Sequence, residues 1–355
     1  MKRTPLEIIS LKGDFCEIAF QLGKIRKKII EKRVTFWNQL ITKTFRGKMQ
    51  RLRDLEIAFL REAQKQAPQY LEEIIAMSEG ASIPFFDLFR LNLTELVPFA
   101  DKCTTVITPF YKDGKRKILI AHNEDWDPKR NDVFILQAKT PKVSFTIVAY
   151  DGYLPGLSCG VNSHGFVHAI NYVPPKDFRL GLPRIFITRH LVTAKSFNDM
   201  LDWIKKSKRA FGQSIHMAQK GHYLGIELSA TKMALREIGL PTVHTNHYLE
   251  KKIFNFAAKP SENSVCRQQT AENILTKITE NTNNKKLKKQ EAIELATKIL
   301  SDRSGYPYCL WREADTKKET SATLVTALLS TDLDKTRFFR QASEKSKPLT
   351  VSLNI

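Results

Sequence analysis

The first side chain that could carry out chemistry is Cys103, which opens the β-branched run Thr104-Thr105-Val106. A thiol attacks a carbonyl as its thiolate, and because an ordinary cysteine has a pKa near ~8.5 it needs a base or a cationic neighbour. Cleavage of the Lys102–Cys103 bond would give Cys103 a free α-amino group with a pKa of roughly 7.7–8.0, which suits a general base. A buried structural cysteine at the start of a strand is the alternative interpretation.

A hairpin is predicted to fold a second strand back onto the run that Cys103 opens. The dipeptide Asp113-Gly114 separates that run from the strand-like segment Lys117 to Trp126. Asp-Gly between two β-rich segments is the strongest short signal for a hairpin. Antiparallel pairing across this turn places Cys103 opposite Glu124, within one residue.

Three polar residues of the second strand are therefore expected near the thiol. We expect Asn123 and Asp125 to lie beside Cys103, and His122 to come close on the paired strand. Asp125 would orient the new amine and balance part of its charge. His122 and Asn123 are also candidates for substrate binding.

A glycine-rich segment, residues 151–165, follows two further strand-like runs. Glycine permits unusual backbone angles and the close approach of a ligand. Tyr153 and Asn162 lie in this segment and are further candidates for substrate binding.

The segment Thr242-Val243-His244-Thr245-Asn246-His247-Tyr248 is the second place where residue types suit chemistry. His244 and His247 could ligate a metal, but no HExxH motif or Cys/His quartet supports this, so we expect no metal site. Asn246 could donate its amide N–H to an oxyanion, as asparagine does in acyl-transfer sites. A turn-forming asparagine is the equally open alternative.

The composition is that of an ordinary globular protein. The chain has 355 residues, of which 42% are hydrophobic and 26% charged, and it is long enough for one large domain or two. No apolar run approaches the ~20 residues of a transmembrane helix, and residues 1–5 have no apolar stretch of the signal-peptide type. Five scattered cysteines form no disulfide framework and fit a reducing compartment. We expect a cytoplasmic protein.

The formal net charge of +20 needs an explanation. It could indicate a nucleic-acid or membrane partner. Lysine and arginine are spread along the chain, however, and no known nucleic-acid module is present, so we expect solvated surfaces and no nucleic-acid partner. Attraction of an anionic substrate, such as a fatty-acyl or coenzyme A compound, is a weaker alternative.

Helical periodicity dominates the first hundred residues, and strand patterns dominate afterwards. A helical pattern begins after Asp14, with Glu17 in capping-box position. Beyond Cys103 the strands are joined by tight turns, and helices are predicted between the strand blocks at 184–207 and 265–300. This order favours an α+β fold with helices layered on antiparallel sheets over a doubly wound parallel fold.

Several motifs in one order and spacing resemble the penicillin acyltransferase family (isopenicillin N acyltransferase and its relatives). These are Ntn hydrolases related to the choloylglycine hydrolases. The motifs are Asp101-Lys102-Cys103-Thr104-Thr105, Ala121-His122-Asn123-Glu124-Asp125-Trp126, Gly160-Val161-Asn162-Ser163-His164-Gly165, His244-Thr245-Asn246-His247, the spacing Gly13…Glu17…Gly23, and Ser264-Val265-Cys266-Arg267.

The resemblance implies a four-layer αββα sandwich made as an inactive precursor that cleaves itself before the nucleophilic cysteine. By position, the cleavage site is Lys102/Cys103. It would give a largely helical α chain of residues 1–102 and a β chain of residues 103–355, which together form one domain. Asp125 matches the residue that supports the nucleophile, Asn246 the oxyanion residue and Arg312 the arginine of the family site.

The implied activity is that of an amidohydrolase or acyltransferase with no cofactor. It would act on a small-molecule acyl amide or acyl-thioester through a thioester acyl-enzyme. The penicillin enzyme is cut after glycine, whereas this chain has Lys102 at that position. Lysine is bulkier than glycine and limits the strained backbone conformations that assist an N-to-S acyl shift. A non-catalytic binding protein that keeps the Ntn fold is the alternative.

Overall fold

A computed structural model of the chain describes residues 6–97, 102–127, 132–281, 286–313, 321–332, 336–339 and 349–351. Asp101 of the first motif therefore lies outside the described residues. The described α-helices are α1 (Phe15–Thr44), α2 (Met49–Gln66), α3 (Pro68–Ala81), α4 (Phe85–Leu91), α5 (Arg184–Arg189), α6 (Phe197–Lys206), α7 (Glu262–Asn281) and α8 (Lys289–Leu300).

Beyond α4 the described strands form three runs separated by the helix pairs α5/α6 and α7/α8, and one further strand precedes α1. The described strands are β1 (Ile8–Lys12), β2 (Lys102–Lys112), β3 (Lys115–Trp126), β4 (Val133–Lys139), β5 (Ser144–Tyr150), β6 (Gly160–Asn162), β7 (Val167–Asn171), β8 (Gln213–Gln219), β9 (His222–Leu228), β10 (Met233–Arg236), β11 (Thr242–His244), β12 (Ala322–Ser330), β13 (Thr336–Phe339) and β14 (Leu349–Val351).

The first helix begins where the sequence predicts. The Asp14 side chain accepts from the backbone N–H of Glu17 at 2.8 Å, and the Glu17 carboxylate accepts from the backbone N–H of Asp14 at 2.8 Å. This reciprocal capping satisfies two of the N–H groups that a helix start leaves without a partner.

The predicted hairpin joins β2 and β3. Asp113 and Gly114 both have positive φ, at 51° and 71°, as a two-residue hairpin turn of the type I′ class requires. Cys103 pairs with Glu124 and Lys102 with Asp125, so the predicted register is confirmed.

Two sheets form the centre of the fold. Among the described strands, eight form one sheet in the order β1-β4-β5-β6-β7-β8-β9-β10, and six form the other in the order β11-β2-β3-β12-β13-β14. The pairs are antiparallel except that β1 runs parallel to β4. This pairing joins residues more than a hundred positions apart, and the sequence analysis did not predict it.

The two sheets face each other and carry helices on their outer faces. Ile107 and Ile120 of the six-stranded sheet share a buried cluster with Ile215 of the eight-stranded sheet. On the outer face of the six-stranded sheet, α7 and α8 cover a second cluster that includes Val106 and Leu119.

Helix α1 covers the outer face of the eight-stranded sheet, where Ile18 and Leu22 pack against Phe134 of β4 and Phe145 of β5. Helix α3 lies against α1. The four-layer αββα sandwich that the resemblance implied is therefore confirmed. Among the described helices, none is long and apolar enough to cross a membrane.

Two glycines let α1 and α3 approach closely. A Cβ atom added to Gly80 would lie 2.1 Å from the carbonyl oxygen of Phe20, and one added to Gly23 would lie 2.3 Å from that of Met77. Both contacts are with backbone atoms, so a side chain at either position would force the helices apart.

We expect Gly80→Ala to lower the free energy of unfolding by about 1–3 kcal/mol, the usual cost of overpacking a close contact. Chemical denaturation of the purified variant measures this loss. Gly239→Ala is the matched control, because its new Cβ would meet nothing within 4 Å and should change stability by less than about 0.5 kcal/mol. Equal stability of the two variants would contradict the close helix contact.

Candidate active site

Cys103 lies at the start of β2 and is buried, with 3% of its surface exposed. Its backbone N–H donates to the Oδ1 atom of Asn246 at 3.0 Å. Strand β11 makes this contact possible, because His244 pairs with Thr105, and Asn246 and Cys103 each lie two residues beyond this pair. The structure thus brings together two residues that the sequence separates by 143 positions.

Arg267 on α7 joins the nucleophile candidate to the oxyanion candidate. Its Nη1 atom donates to the carbonyl oxygen of Cys103 at 2.7 Å and to the Thr104 hydroxyl at 2.8 Å. Its Nη2 atom donates to Asn246 Oδ1 at 2.5 Å, and its Nε atom donates to Asn263 Oδ1 at 3.0 Å. The guanidinium is fully buried, so these oxygens replace water around its charge.

No pattern in the sequence indicates a role for Arg267. The residue ends the Ser264–Arg267 motif of the resemblance, which marked the position but not its function. Helix periodicity could place Arg267 on the buried face of α7, but only the tertiary structure shows which oxygens it contacts.

The orientation of the Asn246 amide is determined by its neighbours. Two donors, the N–H of Cys103 and the guanidinium of Arg267, point at one end of the amide, which must be the oxygen. The Nδ2 atom donates one hydrogen to the carbonyl oxygen of Tyr172 at 3.0 Å. The second hydrogen of this amide can then serve an oxyanion.

Two polar side chains of β3 lie on the same face of the sheet as the thiol. One donor atom from each of Cys103, His122 and Glu124 lies within 4.8 Å of the others, and all three residues are buried. His122 Nε2 is 3.1 Å from Glu124 Oε2. Ser158 donates a short hydrogen bond to the same carboxylate oxygen.

The hydrogen bonds of Thr105 determine the tautomer of His122. The Thr105 hydroxyl has one proton, which it donates to Asn171 Oδ1 at 2.6 Å. It therefore accepts from His122 Nδ1, which lies 2.8 Å away. With Nδ1 bound to Thr105, Nε2 is the ring nitrogen of His122 that faces Glu124 Oε2.

Asp125 points to the opposite face of the sheet from the thiol. It accepts from the Thr323 hydroxyl at 2.6 Å, and its other oxygen lies 3.8 Å from Arg312 Nε. Successive strand residues face opposite sides, so pairing of Cys103 with Glu124 separates Asp125 from the thiol. The expectation that Asp125 lies beside the thiol is thus not met, although its backbone is opposite Lys102.

Burial raises the pKa of Asp125 from its ordinary value of 3.8 to about 6. The positive charges of Arg312 and Arg267 oppose this rise, and so does the hydrogen bond from Thr323. Arg312 itself is buried and donates to the Ser321 hydroxyl at 2.6 Å. The two predicted residues Asp125 and Arg312 therefore form a pair behind the strand, while Arg267 contacts Cys103.

Asn123 also faces away from the thiol. Its Nδ2 atom donates to the carbonyl oxygens of Leu300 at 2.8 Å and Leu310 at 3.0 Å, and its oxygen accepts from the Thr326 hydroxyl at 2.6 Å. These contacts hold the end of α8 and the loop after it against the sheet.

The candidates from the glycine-rich segment have their own local partners. Asn162 donates to the carbonyl oxygens of Val192 and Ala194 and accepts from the backbone N–H of His164. Tyr153 is buried in the main hydrophobic cluster, with its ring 6.3 Å from that of Tyr150. These contacts connect both residues to neighbouring loops and rings.

The two histidines near Asn246 have separate partners. His244 Nε2 lies 2.9 Å from Glu227, and His247 Nδ1 lies 2.8 Å from the Ser264 hydroxyl. Burial lowers the pKa of His247 to about 4. Within the described part of the chain, the group of side chains close enough to share a metal ion is Cys103, His122 and Glu124, which includes neither His244 nor His247.

The sequence also matches a known family. Residues 111–341 match the model of the family described as acyl-coenzyme A:6-aminopenicillanic acid acyl-transferase. The chain belongs to this family. The matched range begins in the hairpin after Cys103. It contains three residues of the candidate site, namely Asn246, Arg267 and Arg312.

One curated protein is similar to part of this chain. It is the β-alanyl-dopamine/carcinine hydrolase of Drosophila melanogaster, with 26% identity over 230 residues. The match covers 58% of each protein, so the chain spans less than two thirds of that relative.

Two solved structures resemble the chain at low identity. A variant of the conjugated bile acid hydrolase of Clostridium perfringens has a TM-score of 0.49 and 11% identity, over 71% of this chain and 93% of that one. Penicillin V acylase of Agrobacterium tumefaciens has a TM-score of 0.43 and 12% identity, over 71% and 86%.

The raised pKa of Asp125 predicts a dependence of stability on pH. As pH rises from about 4 to about 6, the unfolded chain loses this proton while the folded chain keeps it, so the free energy of unfolding falls. A shift of two pKa units corresponds to about 3 kcal/mol. We expect the stability of the wild-type protein relative to Asp125→Asn to fall by this order between pH 4 and 7. Denaturation curves of both proteins measure the difference, and a constant difference would contradict burial of the carboxyl.

Arg267→Lys should damage the site although it keeps the charge, because an ammonium cannot reproduce the planar set of donors. We expect a loss of about 2–4 kcal/mol in the free energy of unfolding, together with lower kcat. Denaturation and steady-state kinetics test both effects. Arg303→Lys, at an exposed ion pair, is the control and should change neither. An Arg267→Lys protein with wild-type stability and kinetics would contradict the bridging role.

Proposed function

We propose that the chain is an N-terminal-cysteine amidohydrolase or acyltransferase that activates itself by cleavage between Lys102 and Cys103. The observation that carries this proposal is the set of contacts at Cys103. Its nitrogen is bound to Asn246, and Arg267 holds both its carbonyl oxygen and the same asparagine. Family membership supports chemistry at an acyl group.

Cleavage would turn the amide nitrogen of Cys103 into an amine that serves as the base. The amine would donate one hydrogen to Asn246 Oδ1, as the amide does, and its lone pair would accept the thiol proton. The thiolate attacks the substrate carbonyl. The leaving amine takes the proton as the carbon–nitrogen bond breaks, and a thioester to Cys103 remains. Water or an amine then attacks the thioester and releases the thiol.

Asn246 is proposed to stabilise the oxyanion that forms in each attack. Its second amide hydrogen is available for this, since Tyr172 uses only one. Arg267 would act as a positioning residue that fixes the asparagine relative to the nucleophile. Asp125 lies on the far face of the strand and would not touch the thiol. It would affect the site through its electrostatic interactions with Arg312 and Arg267.

Residues 1–102 and 103–355 would remain associated after cleavage. Strand β1 of the first fragment pairs with β4 of the second. Arg26 of α1 donates to both oxygens of Asp151 at 2.8 Å, and both side chains are buried. The two proposed fragments would therefore form one folded unit, as the domain prediction requires.

The proposed substrate is a small-molecule acyl amide or acyl-thioester. The Drosophila relative is named for β-alanyl-dopamine and carcinine, so amides of small amines are the first compounds to test. We propose a cytoplasmic location, because five scattered cysteines are typical of a reducing compartment.

Replacement of the nucleophile tests the proposal directly. We expect the wild-type chain to separate into two fragments in denaturing mass spectrometry, and Cys103→Ala to stay a single chain of 40.7 kDa without turnover of an N-acyl amide panel. Cys266→Ala is the control and should be cleaved normally.

Asn246→Ala should lower kcat by about 10²–10³, the usual cost of one oxyanion donor.

Two outcomes would contradict the proposal. Full turnover by Cys103→Ala would show that another residue is the nucleophile. An intact wild-type chain that is inactive on the whole panel would favour a non-catalytic binding protein with the same fold.

A further inference from the structure

We propose that Cys103, His122 and Glu124 bind a divalent metal ion of the zinc type, which reversibly blocks the nucleophile. This inference rests on the proposed function only for its effect on activity. The sequence predicts no metal site, because its metal candidates, His244 and His247, are supported by no HExxH motif or Cys/His quartet. The hairpin register brings them together, with Cys103 and Glu124 directly paired.

The geometry suits a compact metal site. The three donor atoms lie within 4.8 Å of one another. Ligands at the usual Zn–S distance of about 2.3 Å and Zn–N or Zn–O distances of about 2.0–2.2 Å lie roughly 3–4 Å apart around a tetrahedral ion. The 3.1 Å separation of His122 Nε2 and Glu124 Oε2 falls in this range. Three protein ligands leave the fourth position for water, as in other open zinc sites.

Neighbouring side chains already orient two of the ligands. His122 donates from Nδ1 to the Thr105 hydroxyl, and Thr105 donates in turn to Asn171. This arrangement leaves Nε2 as the metal-binding atom, and metal-bound histidines usually have such a partner on the other nitrogen. Ser158 holds the Glu124 carboxylate in the same way.

Charge also favours a divalent ion. A thiolate from Cys103 and a carboxylate from Glu124 supply two negative charges, and neutral His122 supplies none. A divalent ion would displace the thiol proton, and the ion, thiolate, carboxylate and neutral imidazole would together carry no net charge. Sulfur and imidazole ligands select zinc over magnesium or calcium, which prefer oxygen.

A bound ion would hold the Cys103 sulfur that must attack the carbonyl. Both self-cleavage and turnover would then stop, and a chelator would restore them. The site would thus couple the activity of the protein to the concentration of free zinc.

The test titrates the metal-free wild-type chain with Co²⁺ and then with Zn²⁺. We expect one Co²⁺ per chain with a thiolate-to-cobalt absorption band, and loss of that band when Zn²⁺ replaces it. His122→Gln and Glu124→Gln should each weaken binding at least tenfold. Ser158→Ala, which keeps all three ligands, should weaken binding by about 10-fold. His222→Gln, at an exposed histidine, and Cys266→Ser are the controls and should bind as the wild type does.

The results separate this inference from the proposed function. A cobalt band that needs Cys103, His122 and Glu124 supports the metal site even if no substrate is turned over. A protein that cleaves itself and hydrolyses amides but shows no such band overturns it. Binding that survives in a folded His122→Gln protein, judged by circular dichroism, also overturns it.

Discussion

A buried positive charge organises the centre of this protein. The Arg267 guanidinium has no bulk water around it, so protein oxygens must compensate its charge. Oxygens of Cys103, Thr104, Asn246 and Asn263 are among those that accept from it. The same contacts therefore bury the charge and align the nucleophile candidate with the oxyanion candidate.

Strand β3 separates two sets of polar side chains by simple alternation. His122 and Glu124 face the space between the sheets with the thiol, whereas Asn123 and Asp125 face the helices on the outer side. The donor atoms of the inner set lie within 4.8 Å of the Cys103 sulfur. In the outer set, Asn123 holds the loop that leads to Arg312. Asp125 places its carboxyl group 3.8 Å from the Arg312 guanidinium, behind the strand. Four consecutive residues thus serve two layers of the sandwich.

The sequence allowed the hairpin register to be predicted because its determinant is local. Asp113-Gly114 selects a two-residue turn, and the turn sets every pair along both strands. The same register implies that Asp125 faces away from the thiol. The sequence predicts the register only to within one residue, so it did not determine which face Asp125 occupies. A slip of one residue reverses the face of every side chain.

Other features could not be predicted because they depend on distant parts of the chain. The pairing of β1 with β4 and the contact of Arg267 with Cys103 join segments more than a hundred residues apart. The glycine-rich segment shows a related limit. Its composition allows close approach of a ligand, yet Asn162 binds the backbone of the loop at Val192 and Ala194. Composition alone does not distinguish these two uses of a polar residue.

The contacts of Asn123 connect two segments that are ten residues apart in the chain. One amide group binds the carbonyl oxygens of both Leu300 and Leu310, so the two ends of the intervening loop are held at one point of β3. The Trp311 N–H also donates to the Asp302 carbonyl oxygen at 2.9 Å, so the two ends are joined to each other as well. A substitution at Asn123 would therefore remove one contact from each end of the loop at once, while the bond between the ends would remain.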